Sequence, residues 1–310
     1  MRGITNALVW LVLLFRLAFA PAANAETVRI GQFNVENYLA EPAGTRPAKS
    51  EAGRAKVRES LLALHPDVLA LEEIGGTNAL LELQGALRTA GLDLPHWEMV
   101  TGFDTNIHVA VLSKFAITAR RPHTNDAFLL GGRRFQVSRG FAEVDIRVSP
   151  SFSFTLLAAH LKSKRAIAAA DEAELRVEEA RILRGLIDAR LAANLETNLV
   201  VIGDLNDTHD SPAIRAVLGP RGKKALVDTR PAERNGDIPP PRDHRANARQ
   251  VTWTHFYAKE DTYSRIDYIL ISHGMNRYWQ PAETYIPTLP NWGLASDHRP
   301  LVAAFSNGEP

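Results

Sequence analysis

The chain of 310 residues contains no cysteine. Disulfide bonds, cysteine-ligated zinc and thiol catalysis are therefore excluded, and the stability of the folded protein must come from its core. The chain also has little net charge, since 36 Lys and Arg stand against 35 Asp and Glu. A nucleic-acid partner would therefore have to be held by a local patch of positive charge rather than by the field of the whole protein.

Long apolar runs are scarce as well, and the one near the start is short. It extends from Ala7 to Phe15, and Arg16 ends it well below the ~20 residues that span a bilayer. Arg2 before this run and Ala23-Asn24-Ala25 after it complete the pattern of a secretory signal peptide over residues 1–25. We therefore expect a periplasmic or secreted protein with no stable membrane anchor. Cleavage would leave a formal charge of −1, because two arginines and no acid are lost from +1.

Composition and the spacing of elements indicate one α/β domain over residues 26–310. With 45% hydrophobic and 23% charged residues, the chain is typical of a folded globular protein. Strand-like and helical segments mix from end to end, and no stretch has the composition of a linker. The exception is a proline-rich loop at about 229–250, whose length fits a lid or binding element as well as it fits disorder.

Three segments have the apolar spacing of helices, over residues 52–64, 77–90 and 168–194. The many charges of the third segment are interpreted as a solvated face. Between residues 97 and 160 the pattern changes to repeated short apolar runs, which predict an antiparallel block of strands.

Polar side chains lie at the ends of several strand-like runs. Val200-Val201-Ile202-Gly203 leads into Asp204, and Asn206 follows two residues later. Glu73 and Asn34 end two further apolar runs. Because acids at several separate strand ends suggest one shared site, we predict a metal and phosphate site there.

Hydrolysis of a phosphate ester needs a cation, a group that orients the attacking water, and hydrogen-bond donors for the transition state. Mg²⁺ prefers carboxylate and amide oxygens, and imidazoles suit proton transfer. Each such residue alone also fits a turn, a solvated charge or a structural histidine, so their joint order is the more specific signal. The motifs are, in order, Phe33-Asn34-Val35-Glu36-Asn37, Leu71-Glu72-Glu73-Ile74, Ala159-His160-Leu161-Lys162, Gly203-Asp204-Leu205-Asn206-Asp207, Arg265-Ile266-Asp267-Tyr268 and Ser296-Asp297-His298-Arg299-Pro300.

This series of six motifs resembles the endonuclease/exonuclease/phosphatase superfamily, which includes DNase I, apurinic-site endonucleases, inositol polyphosphate 5-phosphatases and neutral sphingomyelinases. The resemblance spans almost all of the chain after residue 25. It implies a four-layer α/β/β/α sandwich, in which two mixed sheets pack face to face and carry the site at one end. It also implies a Mg²⁺ or Mn²⁺ cofactor, held mainly by Glu73 with Asn34 and Asp297 beside it.

The resemblance implies catalytic roles for the remaining motif residues. Asp204 would orient or deprotonate the attacking water, and Asn206 would hold a phosphate oxygen or help to place that water. His160 would donate to the scissile phosphate. His298, polarised by Asp267, would stabilise the developing charge, because a carboxylate favours the imidazolium form.

Three features around the motifs leave alternatives open. Many family members have glutamine where this chain has Glu72, which either adds a carboxylate near the metal or, as we favour, points to the opposite face of its strand. Arg139 and Lys162 are candidate phosphate contacts, although ordinary solvated cations would also fit. The aromatic segment Trp253 to Tyr257 would suit stacking on a base or sugar, but packing against strands is favoured.

We therefore expect a metal-dependent phosphoester hydrolase. A nuclease or other phosphodiesterase is favoured, because an exported protein meets extracellular DNA and basic residues flank His160. A phosphomonoesterase and a sphingomyelinase-like lipid phosphodiesterase are alternatives, although no apolar hairpin for membrane docking is evident in the sequence. A non-catalytic binding protein on the same fold would lack an acid or histidine of the set, and none is missing. No protein partner is inferred.

Overall fold

The computed structural model describes residues 26–234 and 251–308. The predicted signal peptide, residues 1–25, and most of the predicted loop at 229–250 lie outside the described residues. In the part of the chain that is described, no helix is both long and apolar enough to cross a membrane.

The elements are numbered here in chain order. The helices are α1 (Glu51–Leu64), α2 (Gly76–Thr89), α3 (Glu172–Ala193), α4 (Pro212–Leu218) and α5 (His273–Asn276), with a 3-10 helix at Trp292–Leu294. The strands are β1 (Thr27–Tyr38), β2 (Val68–Ile74), β3 (His96–Val100), β4 (His108–Ser113), β5 (Ala116–His123), β6 (Ala127–Leu130), β7 (Arg133–Gln136), β8 (Phe141–Arg147), β9 (Ser153–His160), β10 (Leu199–Asp204), β11 (Val227–Asp228), β12 (Ala232–Glu233), β13 (His255–Tyr257), β14 (Thr262–Ser264), β15 (Asp267–Ile271), β16 (Trp279–Ile286) and β17 (Leu301–Ser306).

Two mixed sheets form the centre of the protein. The first has the strand order β12-β16-β17-β1-β2-β4-β3, in which β1 is parallel to β2 and β12 to β16. The second has the order β11-β15-β10-β9-β8-β5, in which only β9 and β10 run parallel. The hairpins β6–β7 and β13–β14 lie outside both sheets.

Alternating side chains of each strand serve two different cores, as the two-residue period of a strand requires. In β2, Val68 and Ala70 pack in the core between the sheets, whereas Leu69 and Leu71 pack in the core that includes residues of α1 and α2. In β10, Val200 and Ile202 face the first sheet, and Val201 faces the core shared with α3 and α4. The result is the predicted four-layer α/β/β/α sandwich.

The predicted elements agree with the structure within a few residues, except at the start of α3. That helix begins at Glu172 rather than residue 168, because the Asp171 carboxylate caps it by accepting from the amides of Ala173 and Glu174. The strands of the predicted antiparallel block do pair antiparallel, which confirms that prediction. They do not form one sheet, however, but divide between the two sheets and the β6–β7 hairpin.

The prediction that the charges of α3 form a solvated face is wrong for three of them. Arg176, Glu179 and Arg184 are buried. Each has partners that compensate for burial: Arg184, for example, donates to the carbonyls of Val217 and Lys224. Helical periodicity shows which positions share a face, but it does not show that a neighbouring loop covers that face.

Candidate active site

The strand pairing places three of the predicted site residues side by side in the second sheet. Asp204, the last residue of β10, pairs in register with His160 at the end of β9 and with Asp267 at the start of β15. All three are buried. Gly203 permits this close packing, since its φ is +137° and a Cβ there would lie 1.9 Å from the carbonyl oxygen of Ala159.

Asn34 joins this group to the first sheet. It lies in β1, is buried, and donates from Nδ2 to Asp204 Oδ2 at 3.0 Å. Its Oδ1 accepts from the amide of Glu36 at 3.0 Å. The backbone oxygen of Asn34 accepts from the hydroxyl of Ser296 at 2.7 Å, which fixes the segment that carries Asp297 and His298 beside β1.

His298 and Asp267 form a close buried pair. His298 Nδ1 lies 2.9 Å from Asp267 Oδ2, and Nε2 lies 3.7 Å from Asp204 Oδ2. Burial alone would lower the pKa of His298, but the charges of Asp267 and Asp204 and the hydrogen bond to Asp267 raise it well above its ordinary value. These carboxylates therefore favour the protonated form of His298, whose second ring nitrogen lies toward Asp204.

His160 has the opposite electrostatics. Its Nε2 lies 3.4 Å from Asp204 Oδ2. Burial, together with the nearby charges of Arg139, His298, Arg46 and Lys162, lowers the pKa of His160 well below its ordinary value. The surroundings of the two imidazoles thus shift their pKa values in opposite directions, down for His160 and up for His298.

Asp204 is held by several donors. Its Oδ1 accepts from the amide of Asn206 at 2.9 Å, and its Oδ2 accepts from Asn206 Nδ2 at 3.2 Å. Asn206 adopts a left-handed φ of +56° and also donates to the carbonyl of Leu161 at 3.0 Å. Burial raises the pKa of Asp204 to about 7, opposed by the charge of His298 and reinforced by that of Asp267. This carboxyl group can therefore gain and lose a proton near neutral pH.

The other two predicted metal ligands, Glu73 and Asp297, lie with Glu36 at a more open edge, and we call these three residues the acidic edge. Sequence reasoning did not single out Glu36. Glu73 has a left-handed φ of +64° at an irregularity of β2, which turns it toward the amide of Asn37 at 2.9 Å. The side chains of Asp297 and Glu36 are 43% and 44% exposed. Burial and the charges of Asp297 and Glu73 raise the pKa of Glu36, and the charge of Lys49 opposes this rise.

The acidic edge fits a divalent cation. With Asn34 Oδ1 it offers only carboxylate and amide oxygens, which are the ligands that Mg²⁺ and Mn²⁺ prefer. Its neighbouring cation is Lys49, whose Nζ donates to the Glu36 carbonyl at 2.8 Å and lies 3.7 Å from Glu36 Oε2. Sequence reasoning missed Lys49, because nothing in its local sequence distinguishes it from the other loop residues.

Glu72 lies behind the site, in agreement with the favoured interpretation that it points away from Glu73. It is fully buried and accepts from Gln32 Nε2 at 2.7 Å, while Gln32 also donates to Asp267 at 2.9 Å. Burial and the charges of Asp267 and Asp204 raise the pKa of Glu72 well above its ordinary value. Sequence reasoning missed Gln32, although it lies two residues before Asn34 and therefore on the same side of β1.

The two tentative phosphate contacts have different surroundings. Arg139 is buried and donates to the carbonyl of Leu161 at 3.2 Å. Lys162 directs its ammonium to the carbonyls of Ser163 at 3.0 Å and Arg165 at 2.8 Å, so it stabilises its own loop. It is Arg139, rather than Lys162, that keeps hydrogen-bonding capacity in this region.

The aromatic segment packs mainly against itself and its neighbours, as favoured. The Trp253 ring lies 4.9 Å from that of Tyr263 and 5.3 Å from that of Trp292, measured between centroids. His255 differs, because its Nε2 lies 3.6 Å from Asp297 Oδ2. One atom each from His255, Asp297 and His298 lie within 4.8 Å of one another, so His255 is a site neighbour that sequence reasoning assigned to packing.

A four-layer sandwich with carboxylates, amides and imidazoles gathered at one end of its sheets defines the class of DNase I-like phosphoester hydrolases. The model of the Endonuclease/Exonuclease/phosphatase family matches residues 31–298, and the chain belongs to this family. Comparison with curated proteins gives no match.

Several solved structures share the fold. The catalytic domain of human Nocturnin is 16% identical with a TM-score of 0.61, over 92% of this chain and 98% of that one. Sphingomyelinase C from Streptomyces griseocarneus is 20% identical with a TM-score of 0.58, over 90% and 99%. The 3'-5' exonuclease NExo from Neisseria meningitidis is 16% identical with a TM-score of 0.58, also over 90% and 99%. At these identities the likeness shows the fold alone.

Proposed function

We propose that the protein is an exported, divalent-metal-dependent phosphodiesterase that acts on nucleic acid. The observation that carries this proposal is the environment of Asp204, a buried carboxyl group whose Oδ2 lies 3.4 Å from His160 Nε2 and 3.7 Å from His298 Nε2. A group with a pKa near neutrality beside a fixed positive charge suits the activation of water next to a phosphate.

The roles follow from the contacts of each residue. Asp204 takes the proton of the attacking water, and Asn206 holds Asp204 and faces the same space. His298, fixed by Asp267, donates to a phosphate oxygen as negative charge develops. His160 donates a second hydrogen bond to the phosphate, since its Nε2 also lies near Asp204 Oδ2, at 3.4 Å.

Mg²⁺ or Mn²⁺ is the proposed cofactor. Glu73, Asp297 and Asn34 would hold it, with Glu36 within reach of the same space. The bound cation would neutralise charge on the phosphate oxygens. The exposure of Asp297 and Glu36 leaves room for the water ligands that Mg²⁺ retains.

A lipid phosphodiesterase is the second candidate, and one observation favours it. The sequence showed no apolar hairpin, but the β6–β7 hairpin presents Leu129 with its side chain 72% exposed. One exposed leucine contributes only a small apolar area to membrane docking, so we keep nucleic acid as the favoured substrate.

A substrate panel tests the proposal. The mature protein would be assayed on linear and supercoiled DNA, RNA, sphingomyelin vesicles, a phosphomonoester and bis-p-nitrophenyl phosphate, with Mg²⁺, Mn²⁺, Ca²⁺ or a chelator. We expect hydrolysis of nucleic acid and of bis-p-nitrophenyl phosphate that the chelator abolishes and that Asp204→Ala and His298→Ala lose. Activity on no phosphoester, or activity that the chelator leaves unchanged, would contradict the proposal. Fractionation of cells expressing the full chain tests export separately.

A further inference from the structure

A cleft of about 870 Å³ opens next to the loop that follows His160, and its lining includes the tentative phosphate contacts Arg139 and Lys162. Its walls come from the loop between β3 and β4, from β7 and the loop that follows it, and from the loop after β9. The last of these loops begins directly after His160, and Arg139 of the cleft donates to the carbonyl of Leu161. A ligand that places a phosphate at His160 would therefore extend from there into this cleft.

The lining of the cleft is strongly cationic. It contains five basic side chains, against the two acids Asp104 and Glu179; the basic residues are Arg46, Arg134, Arg139, Lys162 and Arg165. The carboxylate of Glu179 is already hydrogen-bonded within the protein, because its oxygens accept from the amide and hydroxyl of Ser138 and from the amide of Lys162. The excess positive charge is local, which is the condition that a chain of low net charge must meet to hold a polyanion.

Arg139 makes this a built site rather than a chance group of surface cations. Its side chain is 6% exposed, and its Nε, within the part of the chain that the structure describes, is buried with no hydrogen-bond partner. Its nearest carboxylate is Asp104, 3.9 Å away, and Asp104 already lies 3.1 Å from Arg46. A buried guanidinium with unused donors calls for an acceptor from a ligand.

Phe103 adds an aromatic surface to the same cleft. Its side chain is 71% exposed, although the adjoining backbone is fixed, since the amides of Phe103 and Asp104 donate to the carbonyls of Val137 and Ser138. An aromatic ring held on a fixed backbone next to arginines is the combination by which proteins bind unpaired bases and their phosphates. Bases inside a duplex are stacked on each other and cannot cover this ring.

We propose that the cleft is a subsite for single-stranded nucleic acid, in which nucleotides flanking the cut phosphate place a base on Phe103 and phosphates on Arg134 and Arg139. The inference rests on the proposed function, and it selects single strands over duplexes. It predicts that binding and KM for an oligonucleotide depend on the cleft, whereas hydrolysis of a small diester does not.

Fluorescence anisotropy of labelled oligonucleotides tests this inference. All proteins would carry Asp204→Ala to prevent cleavage, and Phe103→Ala and Arg134→Ala would be compared with Tyr263→Ala and Arg88→Ala. The two control residues are also exposed but lie outside the cleft. We expect Phe103→Ala to weaken single-strand binding on the order of 10-fold. Arg134→Ala should reduce the slope of log affinity against log salt by about 1. The controls should change neither quantity.

Kinetic measurements on proteins that keep the natural Asp204 separate the possible outcomes. In Phe103→Ala, KM for a single-stranded oligonucleotide should rise while kcat/KM for bis-p-nitrophenyl phosphate stays unchanged. Unchanged oligonucleotide affinity in both cleft variants, or binding of the Asp204→Ala protein to duplex as tightly as to single strands, would overturn the subsite. If the wild-type protein hydrolyses neither substrate, the proposed function fails instead.

Discussion

The two halves of the site differ in how deeply their side chains are buried. The half from the second sheet, His160, Asp204 and Asp267 with His298, is buried and linked by hydrogen bonds that extend back to Gln32 and Glu72. The acidic edge, by contrast, is partly exposed, and burial together with the charges of Asp297 and Glu73 raises the pKa of Glu36. One half is organised before any ligand arrives, and the other gathers negative charge that a cation would offset. Catalysis and metal binding should therefore respond separately to mutation.

The sharpest test of this separation is Asp204→Asn. The amide cannot accept a proton from water, so kcat should fall on the order of 10³-fold. Mn²⁺ affinity, measured by electron paramagnetic resonance, should fall much less than kcat, because the contact of Asp204 with the proposed metal ligands is the hydrogen bond from Asn34. A large loss of Mn²⁺ affinity would show that the two halves are one metal site.

Glu73→Gln is the converse test. It leaves the Asp204 group unchanged and removes a charge from the acidic edge, so the dissociation constant for Mn²⁺ should rise on the order of 10- to 100-fold. Because the catalytic residues remain in place, saturating metal should restore much of the activity. Loss of kcat without any change in the metal titration would contradict the assignment.

The two halves of the site also differ in how much of each could be predicted from the sequence. Asp204, His160 and Asp267 lie at the ends of apolar strands, and strand pairing alone brings them together. Lys49 and His255 come from loops or short strands, and their proximity to Glu36 and Asp297 depends on tertiary packing that local patterns do not encode. The buried charges of α3 illustrate the same limit, because periodicity predicts a polar face but not the loops that cover it. The layers, by contrast, follow from alternation within strands such as β2 and β10.

Glu179 tests how the second-sheet half is supported. Its carboxyl group holds the loops that carry Arg139 and Lys162, through the bonds from Ser138 and the amide of Lys162. In Glu179→Gln the amide nitrogen cannot accept, so a buried donor loses its partner and the free energy of unfolding should fall by about 2 kcal/mol. Urea denaturation measures this loss. Glu174→Gln, an exposed change in the same helix, is the control and should be nearly neutral.

The smallest effect is expected from Glu143, a buried acid of the second sheet outside the site. Its carboxylate receives bonds from Arg121 at 2.6 Å and His123 at 2.9 Å and lies against Arg190. Burial alone would raise the pKa of Glu143, but these partners outweigh it and lower the pKa from 4.5 to about 2. Glu143→Gln should reduce stability by about 1 kcal/mol at neutral pH, since Arg121 keeps Asp145 as a second partner.

The sign of the pH dependence follows from the depressed pKa of Glu143. Because the folded protein binds the proton more weakly than the unfolded chain does, the stabilisation is complete above pH 4.5 and is lost as the pH falls toward about 2. The difference in unfolding free energy between wild type and Glu143→Gln should therefore be constant from pH 7 to 5 and decrease steadily as the pH falls below about 4.5. A difference that grows on acidification would mean that Glu143 is protonated in the folded protein. In that case Glu143 would stabilise the second sheet in its neutral form. The contrast between a buried half and the acidic edge would then hold only for the residues of the site.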